Sequence, residues 1–158
     1  MKKSFLFVVI ALLLISAAAC SSTKPPAAPA VQGNRIIASL KDLSDNYEKK
    51  NLKSFMNLIS GNFKDRQALA GTLESVFSKY EILHFTVQYS KMVILIEDKG
   101  LTKATFNWDS DWQTAGGSVL KNSGRATFSF EPRDGKLVSI DGKNPFIPQA
   151  IETPGMQG

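Results

Sequence analysis

The spacing of apolar residues changes once along the chain, and this change constrains the fold more than any other feature. Between residues 34 and 80 apolar side chains recur three and four positions apart, which predicts amphipathic helices. From Glu81 onward the spacing is two, which predicts half-buried strands joined by turns that contain Gly or Pro. Because helices come first and hairpin-linked strands follow, the sequence predicts an α+β fold with an antiparallel sheet covered on one side.

Three helices are predicted. The first begins at Arg35 with Asn34 as its cap, and a break at Asn51 separates it from a short second helix. The third is capped by Asp65 and contains Gly71, for which a close backbone contact is one explanation. The apolar faces of the first and third helices are formed by Ile36, Leu40, Leu43 and Tyr47, and by Leu69, Leu73, Val76, Phe77 and Tyr80.

The predicted strands are apolar on one face only. They comprise residues 83–89, a short apolar strand at 92–96, a long alternating segment at 104–112, residues 127–131, and a last short strand at 137–140. Turns are predicted at 97–100, 116–117 and 132–135, and residues 142–146 close the domain.

The first twenty residues have the form of a secretory signal peptide. Lys2 and Lys3 precede an apolar run from Phe5 to Ile15, and small residues follow up to Cys20. The apolar run is well short of the roughly 20 residues that a membrane-spanning helix needs. We therefore predict that residues 1–19 are a signal peptide.

The end of this segment, Ala17-Ala18-Ala19-Cys20, resembles the lipobox of bacterial lipoproteins, with Ala17 in place of the preferred Leu. The resemblance implies cleavage before Cys20, a lipid on its sulfur and acylation, for example by palmitate, of the new amino group. Two or more acyl chains hold a protein firmly on a bilayer. Ser21 in place of Asp implies the outer membrane of a Gram-negative envelope, with the domain facing the periplasm. The alternative is an ordinary cysteine beside a conventional cleavage site, and as the only cysteine it has no intrachain disulfide partner.

The rest of the chain has room for one domain. Residues 20–33 comprise Cys20 and a predicted tether rich in Pro, Ala and Ser, residues 34–146 form the domain, and residues 147–158 are a predicted loose tail. Without Lys2 and Lys3 the formal charge falls from +5 to +3, and the basic residues are scattered. This distribution argues against a nucleic-acid partner.

The order of elements resembles the nuclear transport factor 2-like fold, also called cystatin-like or SnoaL-like, in which a long first helix lies in a strongly curved, cone-shaped sheet. The resemblance covers about residues 34–146. It is carried by Leu40–Phe63, with its Asn-Leu-Lys-Ser-Phe-Met helix and Ser-Gly-Asn-Phe exit, by the strand faces of Phe85, Trp108 and Phe128, and by the Asp134–Ile140 strand. It implies a cone of N-terminal helices in a curved antiparallel sheet, and it says little about function because such folds host many activities.

Enzymes of this fold, such as ketosteroid isomerases, scytalone dehydratase and SnoaL-like cyclases, need an inward carboxylate or histidine beside a tyrosine or a second acid. The core-facing strand positions carry apolar residues here, so we predict no catalytic residues and no enzymatic activity. Asp65, a predicted helix cap, is the one acid considered for an inward position. The predicted pocket residues are Tyr47, Tyr80, Leu83, Phe85, Phe106, Trp108 and Phe128.

Neither a metal site nor a cofactor is predicted. His84, the only histidine, falls on the outer sheet face by strand parity. Asp109 and Asp111 share a strand face but lack a calcium-loop pattern, so a solvated face is the better interpretation. Phosphate-loop, dinucleotide and G-x-S-x-G motifs are absent from the sequence.

The outer sheet face is predicted to be polar and uncharged, with Thr86, Gln88, Thr105, Asn107, Thr127 and Ser129. Cone-fold proteins often pair through this face, so the resemblance implies a homodimer or a protein partner, with a plain hydrated face as the equal alternative. The sequence thus favours a non-enzymatic envelope lipoprotein that binds a small apolar ligand or a protein partner. The alternatives are a cone-fold isomerase, dehydratase or cyclase, and a structural subunit of the envelope.

Overall fold

The computed structural model describes residues 28–96 and 100–149. The predicted signal peptide, Cys20, the tether up to residue 27, residues 97–99 of the predicted turn at 97–100 and the last nine residues lie outside this part of the chain. Within it, no helix is both long enough and apolar enough to span a bilayer.

In the described residues, three helices precede the sheet: α1 (Ala28–Glu48), α2 (Leu52–Asn57) and α3 (Arg66–Lys79). α1 begins seven residues before the predicted start at Arg35 and so includes the last part of the predicted tether. Pro29 lies in its first turn, where a helix tolerates proline because the missing N–H has no partner there.

Asn51 and Asp65 precede α2 and α3, and their side chains behave differently. Asn51 is the cap of α2, because its side-chain oxygen accepts a hydrogen bond from the Ser54 amide at 3.1 Å. Asp65 is the N-cap residue of α3, as predicted, and its backbone carbonyl accepts a hydrogen bond from Leu69 N at 3.0 Å, but its side chain makes no capping bond. Its backbone is left-handed, with φ of 57°, whereas a residue whose side chain caps a helix is typically extended.

Five strands form one curved antiparallel sheet: β1 (Ile82–Val87), β2 (Val93–Leu95), β3 (Thr102–Gln113), β4 (Val119–Phe130) and β5 (Leu137–Gly142). The order is β1-β3-β4-β5, and β2 pairs with β3 on the same side as β1. β4 is longer than predicted. Its first half was not predicted as a strand because exposed residues alternate there with half-buried ones, so this half lacks a strong apolar signal.

The prediction that Tyr89 continues β1 is wrong. β1 pairs with the second half of β3 and β2 with its first half, so the chain must step between them. Residues Tyr89–Lys91 make this step as a 3-10 turn, which leaves Tyr89 44% exposed.

The core lies between the helices and the concave face of the sheet. α1 buries Ile36, Leu40, Leu43 and Tyr47 on one side, which confirms the predicted helical face. β3 buries every second residue along its length, and α3 contributes Leu69, Leu73 and Val76. Gly71 of α3 has open space where a Cβ would be, so the suggested close contact at this position is wrong.

Two segments tie the N-terminal half of the chain to the sheet. After α2, Ile59 forms a parallel bridge with Leu137 on the free edge of β5, with Ser60 N donating to Leu137 O at 2.8 Å. In the first half of α1, Arg35 Nη1 donates to the carbonyl oxygens of Pro132 and Arg133, both at 2.7 Å. The N-terminal half of the chain therefore contacts both the β4–β5 turn and the start of β5.

Candidate functional site: the filled cone and the α3 groove

All seven predicted pocket residues lie together in one buried cluster. Their exposed fractions range from 0 to 6%, with Tyr47 and Phe128 fully buried. The structure brings the seven residues together, and their role as pocket residues stays a prediction. Aromatic side chains pack against one another at the centre of this cluster.

Phe146 is the residue that fills the cone. It is fully buried, and its ring centroid lies 5.1 Å from that of Tyr47, 5.0 Å from Phe55 and 4.9 Å from Phe85. Such tilted and edge-to-face contacts are the preferred geometry of aromatic packing. Sequence reasoning placed Phe146 at the end of the domain but not inside it, because the residue follows the last strand and belongs to no periodic pattern.

We call residues 143–148, which carry Phe146 into the cone, the strap. Gly142 precedes it with φ of +93°, and a Cβ there would lie 2.8 Å from the Arg125 carbonyl oxygen, so glycine allows the chain to turn inward. Ser110 Oγ donates to the Pro145 carbonyl at 2.9 Å, and Phe146 N donates to Asn144 Oδ1 at 3.0 Å. The strap is thus held by polar contacts as well as by its aromatic ring. Within the predicted loose tail, Gln149 N donates to Asn122 Oδ1 at 3.0 Å, so residues up to 149 are attached to the sheet.

Tyr47 holds the strap in place through its side-chain hydroxyl. Its hydroxyl donates to the Phe146 carbonyl at 3.0 Å and accepts a hydrogen bond from Trp112 Nε1 at 2.6 Å. Burial raises the pKa of Tyr47 far above its ordinary value, and this effect outweighs the opposing hydrogen bond from Trp112. The hydroxyl is therefore neutral and fully engaged, which suits a structural role better than proton transfer.

The buried polar side chains of the described core carry hydroxyls rather than acids. Ser39, Ser60, Thr102, Ser110 and Ser129 are buried, and among residues 29–96 and 100–149 the carboxylates are at least partly exposed. Asp65, the acid considered for an inward position, is exposed. The buried Trp108 Nε1 has no hydrogen-bond partner among the residues that the structure describes, and the indole packs against Gly124 of β4.

A groove remains open at one end of the cone, which we call the α3 groove. Its volume is about 390 Å³, and it lies between the end of α3, the start of β4 and the strap. Val76, Tyr80, Leu120, Ile147 and Pro148 provide its apolar surface, with Thr72, Ser75 and Lys79 completing the lining. Tyr80 is the predicted pocket residue that borders it.

Lys79 gives the α3 groove one positive charge. Its Nζ lies 5.4 Å from the centroid of the Tyr80 ring, within cation–π range. An apolar surface with a single cation at its border suits a small ligand with an apolar body and an acidic group. Sequence reasoning missed Leu120 and Ile147 because one stands in the weakly patterned half of β4 and the other in the predicted tail.

The ionisable residues of the outer face engage neighbouring side chains. His84 is exposed, as predicted, and its Nδ1 lies 3.7 Å from Glu48 Oε1. Asp109 accepts from Gln88 Nε2 at 3.0 Å, whereas Asp111 pairs with Lys121 at 3.2 Å. In the described ranges, no group of three or more His, Cys, Asp or Glu residues comes together to hold a metal ion.

Three predicted outer-face residues differ from simple solvated positions. Thr105 and Thr127 share a hydrogen bond of 2.8 Å across β3 and β4. Ser129 is only 3% exposed, beside a register shift between β4 and β5, so it is buried rather than part of an open face.

The chain was compared with family models, with curated proteins and with solved structures. No family model matches the sequence, and no curated protein matches it. A nuclear transport factor 2-like protein from Salmonella enterica matches the structure with a TM-score of 0.60 and 10% identity, covering 79% of this chain and 98% of that one.

Two further solved structures carry the names of enzymes. A candidate scytalone dehydratase from Novosphingobium aromaticivorans matches with a TM-score of 0.58 at 12% identity, over 72% of this chain and 83% of that chain. A Δ5-3-ketosteroid isomerase from a Mycobacterium species matches with a TM-score of 0.54 at 10% identity, over 67% and 89%. At these identities the likeness shows the fold alone, and the predicted fold is confirmed: this chain has the nuclear transport factor 2-like cone.

Proposed function

We propose that this protein is a lipid-anchored envelope protein whose cone domain is a binding module for a small, largely apolar ligand. The observation that carries the proposal is the contrast between the cone, filled by Phe146, and the open α3 groove of about 390 Å³. That volume is within the usual range of small-molecule sites. The anchor is supported by the lipobox-like segment ending at Cys20.

Ligand binding is tested with decanoate and decanol, which share an apolar chain and differ in charge. Both are expected to change the tryptophan emission, since Trp112 pairs with Leu120 across β3 and β4. Decanoate is expected to bind more tightly because Lys79 borders the groove. Absence of any response to either compound at millimolar concentration would contradict the ligand proposal.

Matched variants locate the site. Leu120→Ser is expected to weaken binding of both compounds, whereas Val119→Ser, the adjacent residue on the exposed side of β4, is expected to leave it unchanged. Lys79→Gln is expected to remove the preference for decanoate while leaving decanol binding intact. Equal effects of the two β4 variants would place the ligand elsewhere.

The anchor is tested separately. Cells grown with labelled palmitate are expected to label the protein, and Cys20→Ala is expected to abolish the label and release the chain from the membrane fraction. Unlabelled protein with an unprocessed or freely secreted Cys20 would contradict the anchor without affecting the groove.

A cone-fold isomerase, dehydratase or cyclase is the second candidate function, favoured by the enzyme names among the structural neighbours. It is opposed by the partly exposed position of the carboxylates in the described residues. Turnover of a 3-ketosteroid that is lost in Asp65→Asn would support an enzyme. Unchanged background rates in the parent and variant would support the binding module.

The outer sheet face provides the proposed protein contact, with a second copy of this chain as its partner. Its uncharged centre is formed by the Thr105–Thr127 pair, and Val93 beside Thr105 is 61% exposed. Sedimentation at micromolar concentration is expected to show a dimer that Thr127→Arg dissociates. A monomeric parent would indicate a hydrated face.

A further inference from the structure

One end of the domain brings together the start of α1, the start of β3 and the β4–β5 turn. Gln32 Nε2 donates to Thr102 Oγ1 at 2.6 Å, which fixes the start of α1 beside the start of β3. The hydrogen bonds from Arg35 to the carbonyls of Pro132 and Arg133 attach the same helical turn to the β4–β5 turn. We call this region, defined by Val31, Leu95, Leu101, Pro132 and Arg133, the anchor-side end.

The anchor-side end exposes apolar side chains. Val31 is 43% exposed near the start of α1, and Leu95 is 55% exposed where β2 pairs with Lys103 at the start of β3. Leu101 and Pro132 line a shallow groove together with Arg133. Large apolar residues exposed near one another mark a contact surface more often than singly scattered ones do.

Chain length places this end close to the proposed lipid. A fully extended chain spans at most ~3.6 Å per residue, so Ala28 lies within about 30 Å of Cys20. Gln113 lies at the opposite end of the sheet, ten residues after Lys103 on β3. The distance between these two residues along the strand is ~33 Å. The short connection keeps the anchor-side end at a high effective concentration near the bilayer, where weak contacts suffice.

Two arginines at this end can face an anionic lipid surface, and the nearby carboxylates are Glu131, which lines the same groove, and Glu97 and Asp98, which stand between Leu95 and Leu101 in the sequence. Arg133 is exposed, and the guanidinium of Arg35 donates to two neutral carbonyl oxygens, which do not cancel its charge. Lys136 pairs with Asp134 at 3.6 Å and so adds little. Arginines near a membrane surface are attracted to acidic headgroups.

We propose that the anchor-side end rests on the bilayer, with Val31 and Leu95 in the headgroup region and Arg133 facing anionic lipids. This inference rests on the lipid anchor of the proposed function. The domain then stands with its β3–β4 hairpin and the α3 groove directed away from the membrane.

The test uses the full-length lipidated protein reconstituted in vesicles of phosphatidylethanolamine and phosphatidylglycerol at a ratio of about three to one, to supply anionic lipid. Val31→Cys, Leu95→Cys and Val119→Cys are each labelled with an environment-sensitive fluorophore. Val119 is a matched control, because it is 49% exposed and pairs with Gln113 at the opposite end of the sheet. Circular dichroism confirms that each labelled variant is folded.

We expect positions 31 and 95 to emit at shorter wavelength than position 119 and to be quenched by lipids with a spin label at headgroup depth. Weaker quenching at 31 and 95 in Arg133→Glu would support the charge contribution. Vesicle-bound protein with the same emission and quenching at all three positions would overturn the inference and leave the anchor intact. Protein that does not float with vesicles, and whose Cys20 reacts with the fluorophore in the parent chain, would overturn the anchor and this inference together.

Discussion

The concave and convex sides of the sheet are built by different means, although the same strands form both. The concave side is a closed aromatic cluster in which Phe146 contacts residues from α1, α2 and β1. The convex side is held by local pairs, such as the Thr105–Thr127 hydrogen bond and the Asp111–Lys121 ion pair.

This difference indicates which side of the sheet stabilises the fold and which surfaces remain available for binding. Burial of large aromatic side chains contributes several kilocalories per mole each, whereas exposed ion pairs contribute about 1 kcal/mol or less. The concave side therefore holds the fold together, and the convex side and the α3 groove are free to serve interactions. The following variants challenge or refine this division.

Phe146→Ala is expected to have the largest effect. Loss of a fully buried phenylalanine from the centre of the aromatic cluster should lower the free energy of unfolding by about 3–5 kcal/mol. Equilibrium urea denaturation measures the change, and Ile147→Ala, which removes a partly buried side chain beside it, should cost clearly less. A loss below about 1 kcal/mol would show that the strap is not part of the stabilising core.

Tyr47→Phe tests the polar attachment of the strap. The variant keeps the ring but leaves the buried Trp112 Nε1 and the Phe146 carbonyl without their partner, which should cost about 1–3 kcal/mol. The control is Tyr89→Phe, whose ring is 44% exposed and whose change should be close to zero. Equal stabilities of the two variants would contradict the proposed role of Tyr47.

The same tyrosine predicts a dependence on alkaline pH. Because the pKa of Tyr47 is raised by burial in the folded state, its contribution is complete below the unfolded pKa of about 10. Above that pH the unfolded chain loses its proton first, so stability should fall by up to ~1.4 kcal/mol per pH unit relative to Tyr47→Phe. Urea denaturation of both proteins between pH 8 and about 11 measures the difference. A constant difference would indicate that the hydroxyl is solvated.

The smallest expected effect is a gain. Gly71 lies in α3, and outside its own stretch of helix no atom lies within 4 Å of the position that a Cβ would take. Gly71→Ala should therefore raise the melting temperature through a stabilisation of about 1 kcal/mol. Gly142→Ala is the opposing case, because its Cβ would meet the Arg125 carbonyl at a positive φ, and it should destabilise. The same sign for both variants would contradict the difference between the helical surface and the entrance to the strap.

Much of the fold could be predicted because burial follows local periodicity. Leu83, Phe85 and Val87 alternate along β1 as they do in the sequence, and Tyr47 falls on the predicted face of α1. These signals need no knowledge of the partner element, since an apolar face must be buried whatever covers it.

The candidate site was harder to predict because it depends on distant segments. Phe146 stands alone after the last strand, and only the closed sheet shows that it fills the cone. Leu120 lies in a strand half with weak alternation, and Ser110 is a polar residue at an inward position where its hydroxyl reaches the Pro145 carbonyl. Such positions are fixed by tertiary contacts rather than by local pattern.

The bridge between Ile59 and Leu137 has a consequence for the chain while it is being synthesised and folded. The free edge of β5 has unpaired backbone groups that could pair with strands of other molecules. The residues after α2 cover part of this edge. Those residues are made early and β5 is the last of the strands to be made, so this protection against aggregation arises only when β5 has paired with the residues after α2. A newly made chain is therefore most vulnerable to aggregation just before this pairing.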